Sequence, residues 1–230
     1  MGKLYLIGTY HPDKDKGPEK LKELLDNLEP DMILSETEEN TYLKQLNLLN
    51  QFMHSLSPLT ADYKGLQNFI KEYHLSLAFE VPTVIDYSKQ RDIPHYMIDY
   101  PKTQKKSYQS LKRSIAWWIN KAKNQDDFEI DTWTESFNSD PVFSDFIPEL
   151  MWNDIKYMEQ KATSEMIIML ARLTNGFRKD AYLESRIREL YSPDKIIAFP
   201  VGMMHTADSK RRQTLYSRLR DLSPERIPLI

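Results

Sequence analysis

The stretch KIIAFPVGMMH, Lys195–His205, decides the fold. From Lys195 to Val201 it is almost wholly apolar, too continuous to alternate between a wet and a dry face, so it suits a strand covered by helices on both sides. The run stops at Gly202, and a histidine follows three residues on. The N-terminus repeats this grammar: the apolar run in Lys3–Ile7 leads into Gly8-Thr9-Tyr10-His11. Glycine at a strand exit allows a tight turn or a close approach of backbone to a ligand, and the histidine of each Gly-x-x-His then projects beyond the sheet. One such motif says little. A pair at the exits of two buried strands is informative.

Working outward, further short apolar runs lie at Asp31–Leu34, Leu75–Phe79 and Tyr96–Ile98. Between the runs come helical spacings: Pro18 as a first-turn residue with Leu21, Leu24, Leu25 and Leu28 behind it, then Leu43, Leu46, Leu49 and Met53, then Leu66, Phe69, Ile70 and Tyr73. Strand, helix, strand is the rhythm of βαβ units, so the expected fold is α/β, a mostly parallel central sheet flanked by helices. The rhythm stops from Lys102 to Asn175, where Tyr108, Leu111, Ile115, Trp118 and Ala122, and later Met151, Ile155, Met158, Ala162, Met166, Leu170 and Leu173, keep helical spacing until Gly176. The expectation is one domain over residues 1–230 with a helical insertion at about 102–175. Within it, Lys102–Lys123 holds seven basic and no acidic residues and Asn124–Phe146 seven acidic and no basic ones. Such segregation is ordinarily two solvated faces that neutralise each other, with a lid or partner surface as the other reading.

Composition removes several classes. Lys+Arg 31 against Asp+Glu 34 leaves a net charge of −3, without the positive balance that phosphate-backbone binding needs, so no nucleic-acid partner is expected. No window approaches the ~18 apolar residues of a membrane span, and Leu4–Ile7 is too short for a signal sequence. With no cysteine, disulfides, thiolate metal sites and a cysteine nucleophile are excluded, and a reducing, cytoplasmic location is expected. The C-terminal run Lys210-Arg211-Arg212 through Arg220, over Leu215, Leu219 and Leu222, reads as an amphipathic helix with a solvated basic face.

The chemistry gathers at the strand ends. His11 follows the first run, Glu36 the second, Glu80 the third, Asp99 the fourth and His205 the last. Ligands of open α/β sheets bind beyond the carboxyl ends of the strands, so parallel neighbours would bring these five side chains to one edge. Clustered carboxylates repel and are costly to bury, and proteins keep them together mainly for acid–base work or for a bound cation. His54, His74 and His95 end no run in this way and read as structural or solvent-facing. Asn175-Gly176-Phe177-Arg178-Lys179-Asp180 opens another helix, carried by Leu183, Ile187 and Leu190. Asp180 there is either a helix cap or a site residue, and Arg178 or Lys179 would offer a cation to a developing oxyanion.

The order Gly8-x-x-His11, Pro30-Asp31-x-Ile33-x-x-Glu36, Glu80, Ile98-Asp99, basic-Asp180-x-x-Leu183 and Gly202-x-x-His205 resembles the superfamily that unites TraB/PrgY, GumN, the TIKI metalloproteases, ChaN and erythromycin esterase. The likeness touches both ends, skips the insertion and spans about two thirds of the chain through short motifs. It implies an EreA/ChaN-like α/β domain with a helical insert, whose histidines and glutamates line a hydrolytic site. Members differ: TIKI-like proteins are divalent-metal-dependent peptidases, the esterase is held to use a histidine base without metal, and ChaN binds haem iron. Two departures stand out. The family's Arg-Asn or Arg-Asp pair is Arg178-Lys179-Asp180 here, and its Asp-Arg-Pro is Asp99-Tyr100-Pro101.

The leading expectation is a metal-assisted hydrolase of an amide or ester in a small molecule or peptide. His11, Glu36 and His205 would hold Mn, Co or Zn, Glu80 would deprotonate the metal-bound water, Asp99 would orient a histidine, and Arg178 or Lys179 would stabilise the oxyanion, with Asp180 beside them. The alternatives are a metal-free hydrolase with His11 as general base, its tautomer fixed by Glu36 or Asp99, and a binding protein for haem, iron or a small molecule. Met203 and Met204 beside His205 are more ordinary as core filling than as haem ligands. Trp117, Trp118, Trp133 and Trp152 would make the insertion an interaction module only if they are not core.

Overall fold

A computed structural model of the chain describes residues 2–9, 16–37, 42–44, 47, 79–100, 153, 155–156, 176–208 and 214–230. His11, His54, His74, the four tryptophans and nearly all of the insertion lie outside the described residues. Five strands, β1 (Lys3–Thr9), β2 (Met32–Ser35), β3 (His95–Met97), β4 (Ile196–Gly202) and β5 (Glu225–Pro228), form one sheet in the order β3-β2-β4-β1-β5. Every pair is parallel. The described helices are α1 (Gly17–Leu28), α2 (Glu80–Arg91), α3 (Gly176–Leu190) and the single turn α4 (Leu215–Arg218).

The period of two along each strand sends alternate side chains to opposite faces. Leu4 and Leu6 of β1 join Leu34, Ile197, Phe199 and Val201 under Leu183 and Ile187 of α3 and Leu215 and Leu219 of α4. Tyr5 and Ile7 join Ile33 and Ala198 under Leu21 and Leu25 of α1 and Val84 and Tyr87 of α2. The result is three layers, the sheet buried between two helix layers. Pro18 opens α1 as expected, and the helix ends on Glu29 in the left-handed region at φ 47°, its N–H reaching the Leu25 carbonyl. Among the described residues no helix is long and apolar enough to cross a membrane.

Topology explains where a ligand would go. β1 to β2 and β2 to β3 step toward one edge through α1 and α2, on one face; β3 to β4 and β4 to β5 step back through α3 and α4, on the other. That is what right-handed crossovers require. The chain therefore leaves β4 toward one face and leaves both neighbours, β2 and β1, toward the other. In open α/β sheets such a divergence is where the ligand crevice lies, which here is over the carboxyl end of β4.

Pro200 widens it. Successive residues of β4 face β2 and β1 in turn, and Ile196 faces β2, since its N–H and carbonyl meet the Asp31 side chain and N–H at 2.7 and 2.8 Å. Ala198, Pro200 and Gly202 share that parity. Pro200 has no N–H to give, and pairing of β2 with β4 runs only over Met32↔Ile197 and Ile33↔Ala198. The next N–H on that side, Gly202, is taken by the Glu36 side chain at 2.9 Å.

The structure adds to or departs from the sequence reading at three places. The rest of the Leu75–Phe79 run lies outside the described residues; Phe79 itself is already helical at φ −55°, ψ −24°, and Glu80 is the first residue of α2, where a carboxylate is favoured by the helix dipole. The reason lies in packing, because Phe79 is drawn over Gly17 at the start of α1, so closely that a β-carbon on Gly17 would meet its ring at 2.6 Å. The basic C-terminal run does not make one helix over its described part. One turn, capped by Thr214, gives way to a 3-10 turn at Arg220–Leu222, and Ser223 at φ 50° turns the chain into β5 beside β1. β5 itself is absent from the sequence expectation, since Glu225-Arg226-Ile227-Pro228 is an edge strand with neither an apolar run nor clean alternation.

Candidate functional site

Four elements bring charge to the crevice. Glu36 follows β2 directly, and Asp99 lies two residues beyond β3. His205 rides on a 3-10 turn, Met203–Thr206, that continues β4, and Lys179 and Asp180 are the fourth and fifth residues of α3. The 3-10 turn is braced from three directions. Gly8 of β1 lies so close that a β-carbon there would meet Met203 and Thr206 at 3.3–3.4 Å. Ile155, from the segment between β3 and α3, is buried against Met203 and Ala207. Arg226 of β5 donates to the Thr206 carbonyl at 3.1 Å.

Within the crevice the charges interlock. The Lys179 ammonium pairs with Glu36 Oε1 and stands 3.2 Å from Asp99 Oδ1. His205 pairs through Nδ1 with Asp180 Oδ1, and its Nε2 lies 3.4 Å from Glu36 Oε1. Glu36 Oε2 accepts the Gly202 N–H, and Asp99 Oδ1 accepts the Tyr100 N–H at 2.6 Å. The side chains of Asp99 and Asp180 are 0% and 4% exposed, against 12–16% for Glu36, Lys179 and His205. The two aspartates therefore form the floor of the cluster, and the other three face outward.

Burial opposes both positive charges, and the carboxylates overcome it. For Lys179, burial pulls the ammonium down while Glu36 and Asp99 pull it further up, so its pKa ends above the ordinary lysine value. For His205, burial is likewise outweighed, by Asp180 first and Glu36 second, and the pKa is pushed up to about 10. At neutral pH the site therefore holds two cations, Lys179 and the His205 imidazolium, against three carboxylates. His95 is different in kind: on β3, it touches Ser35 Oγ through Nε2 at 2.8 Å, and burial lowers its pKa to about 4, leaving it neutral.

The structure thus brings together Glu36, Asp99, Lys179, Asp180 and His205 of the expected set. It also resolves the choice the sequence left open. Lys179 points inward and Arg178 is exposed; Asp180 reaches across to His205 and is no helix cap. Glu80 is buried as the first residue of α2. For His11 the nearest described residue is Thr9, which pairs with Gly202. Sequence reasoning missed the Gly202 N–H, which no side-chain pattern signals. It also missed the Tyr100–Tyr182 ring contact, with centroids 5.8 Å apart, although Tyr182 is three residues from Lys179 and so on its helix face.

A divalent cation fits the described members of its expected ligand set poorly. Both Glu36 oxygens already accept hydrogen bonds, and His205 faces a carboxylate at each of its ring nitrogens. Lys179 stands where a cation between Glu36 and Asp99 would stand. Among the described residues no group of three or more His, Asp or Glu side chains is arranged to hold a metal. The chain matches no protein-family model, no curated protein and no solved structure.

Proposed function

We propose that this chain hydrolyses an ester or amide bond of a small molecule or peptide by histidine acid–base chemistry, in a cytoplasmic setting that the absence of cysteine favours. The observation that carries the reading is His205, oriented at Nδ1 by the buried Asp180 while Nε2 lies 3.4 Å from Glu36 Oε1, a long contact. An imidazole fixed by a carboxylate on one nitrogen, with the other directed at a crevice, is the arrangement that proton transfer needs. Support also comes from the strand-end motifs, which resemble those of the TraB, TIKI, ChaN and erythromycin esterase superfamily. Within it, the metal-free branch suits the Lys179 contacts better.

In this reading His11 takes a proton from water as the water oxygen attacks the carbonyl carbon. The C–O or C–N bond then breaks, and the leaving oxygen or nitrogen takes the Nε2 proton of His205. Products are a carboxylic acid and an alcohol or amine, and solvent returns the proton from His11 to His205. Asp180 holds the imidazole in place throughout, and Lys179 keeps the ends of β2 and β3 together through Glu36 and Asp99.

The test is a panel of chromogenic esters and peptide amides, assayed with and without chelator. Turnover should survive the chelator, and His205→Gln should lower it by about 10²-fold or more, the usual worth of a positioned acid or base. No turnover on any ester or amide, or turnover indifferent to His205→Gln, sinks the proposal. Turnover lost to chelator and restored by Zn or Mn replaces it with the metal-assisted mechanism.

A further inference from the structure

Three donors from outside the β2 exit converge on the Glu36 carboxylate: Lys179 Nζ and His205 Nε2 on Oε1, and the Gly202 N–H on Oε2. Each is held in place without Glu36. Asp99 anchors Lys179 from behind, Asp180 anchors His205, and the Gly202 N–H belongs to the end of β4 in the middle of the sheet. The two anchors are the deepest carboxylates, whereas Glu36 is the outermost and comes from a strand exit. Its departure would leave two cations against two anions around a rigid set of donors aimed at one point. A carboxylate gripped at both oxygens by charged and backbone donors is what carboxylate recognition looks like.

We propose that this donor set is a carboxylate-binding cradle in which Glu36 is a resident placeholder, and that the working protein seats there the acyl end of its substrate, released as a carboxylate. An incoming carboxylate replaces Glu36 with no change in net charge, so the exchange needs no other proton or ion. The identity of the occupant rests on the hydrolase reading; the cradle rests on geometry alone. Tetrahedral oxyanion and product carboxylate present the same kind of negative oxygen, so Lys179 and the Gly202 N–H serve both, and His205 joins them for the carboxylate once solvent has returned its proton.

The experiment uses full-length protein and formate as probe, with chloride at matched ionic strength as control. Glu36→Ala vacates the seat, so formate should raise its thermal midpoint in a saturable way while chloride does not. Glu36→Gln fills the seat with a neutral isostere and should not respond. In isotope-labelled wild type, formate must displace Glu36, so the Gly202 amide resonance should move only at concentrations at least about tenfold higher, the equivalent of one charge-assisted hydrogen bond. Indifference of Glu36→Ala to formate, or an equal response from Glu36→Gln, overturns the cradle. Should Glu36→Ala not fold, a wild-type Gly202 amide unmoved at saturating formate overturns it equally. Formate binding without ester or amide turnover leaves the cradle standing and removes the hydrolase; turnover with no formate response does the reverse.

Discussion

Replacing Lys179 by methionine keeps the length of the side chain and removes only its charge, so the change in stability reports on the ion cluster. The Lys179 side chain is 13% exposed and its ammonium lies between Glu36 and Asp99, with the Asp99 side chain fully buried. Removing one partner of a buried pair costs about 3–5 kcal/mol, because the remaining charge stays desolvated. Here the orphaned carboxylates keep partial support. Glu36 retains the Gly202 N–H and His205, and Asp99 retains the Tyr100 N–H at 2.6 Å. The expected cost is therefore at the lower end, about 3 kcal/mol. At about 2–4 °C per kcal/mol for a chain of this size, that is a fall of about 6–12 °C in Tm. Urea unfolding at pH 7 measures it, with Arg178→Met as the control: that neighbour is exposed and should change stability by no more than about 0.5 kcal/mol. The gap between Lys179→Met and wild type should narrow as pH falls toward 5, since carboxylates deprived of their cation bind protons more readily. A loss under about 1 kcal/mol, or one equal to that of Arg178→Met, would refute the reasoning.

Three further outcomes follow from the same structure. His205 has a folded pKa near 10, above its ordinary 6.5, so its contribution is full below about pH 6.5 and lost as pH rises toward 10, whereas His95, lowered to about 4, costs stability as pH falls from 6.5. Stability by urea titration should therefore peak near pH 6.5 and decline on the alkaline side by a few kcal/mol, at about 1.4 kcal/mol for each pH unit crossed, with the alkaline decline absent in His205→Gln. Gly17→Ala should destabilise by about 1–3 kcal/mol despite alanine's better helix propensity, because the new β-carbon meets the buried Phe79 ring at 2.6 Å; Phe79→Leu in the same chain should recover part of the loss. Glu29→Gly should gain about 0.5–1 kcal/mol, as the left-handed backbone at φ 47° suits glycine, and a loss would show that the Glu29 side chain matters more than its backbone strain.

What the sequence made legible is what burial and periodicity write into it. Lys3–Ile7 and Lys195–Val201 read as strands because both faces are covered, and they became β1 and β4, extended at the carboxyl end through the less apolar Gly8-Thr9 in the first and Gly202 in the second. Glu36, Asp99 and His205 were legible for the same reason, since a parallel sheet exposes its carboxyl ends together. Lys179 and Asp180 were named as candidates, but a helix start presents consecutive residues about 100° apart, so only packing decides that Lys179 and Asp180 enter the crevice and Arg178 does not. β5 was hidden because an edge strand needs no buried face on both sides. An apolar run ending in Phe79 serves a buried helix entrance as well as a strand exit, and Glu80 is the first residue of α2.

Pro200 ties these levels together. Proline in a central strand argues against the strand on backbone grounds, yet β4 tolerates it because the lost N–H falls on the side facing β2, where pairing ends at Ile33↔Ala198. The ladder is cut short there, and the sheet parts over Gly202 at the point where the chain's exits diverge. A backbone N–H left at such a parting needs an acceptor, and Glu36 supplies one from the end of β2. That carboxylate in turn meets Lys179 and faces His205, so the gap that interrupts the sheet is where the charges of the site come together. A fully paired β2–β4 ladder would use the Gly202 N–H within the sheet and leave the crevice with one donor fewer. The interruption of regular structure is therefore what turns a strand end into a candidate site.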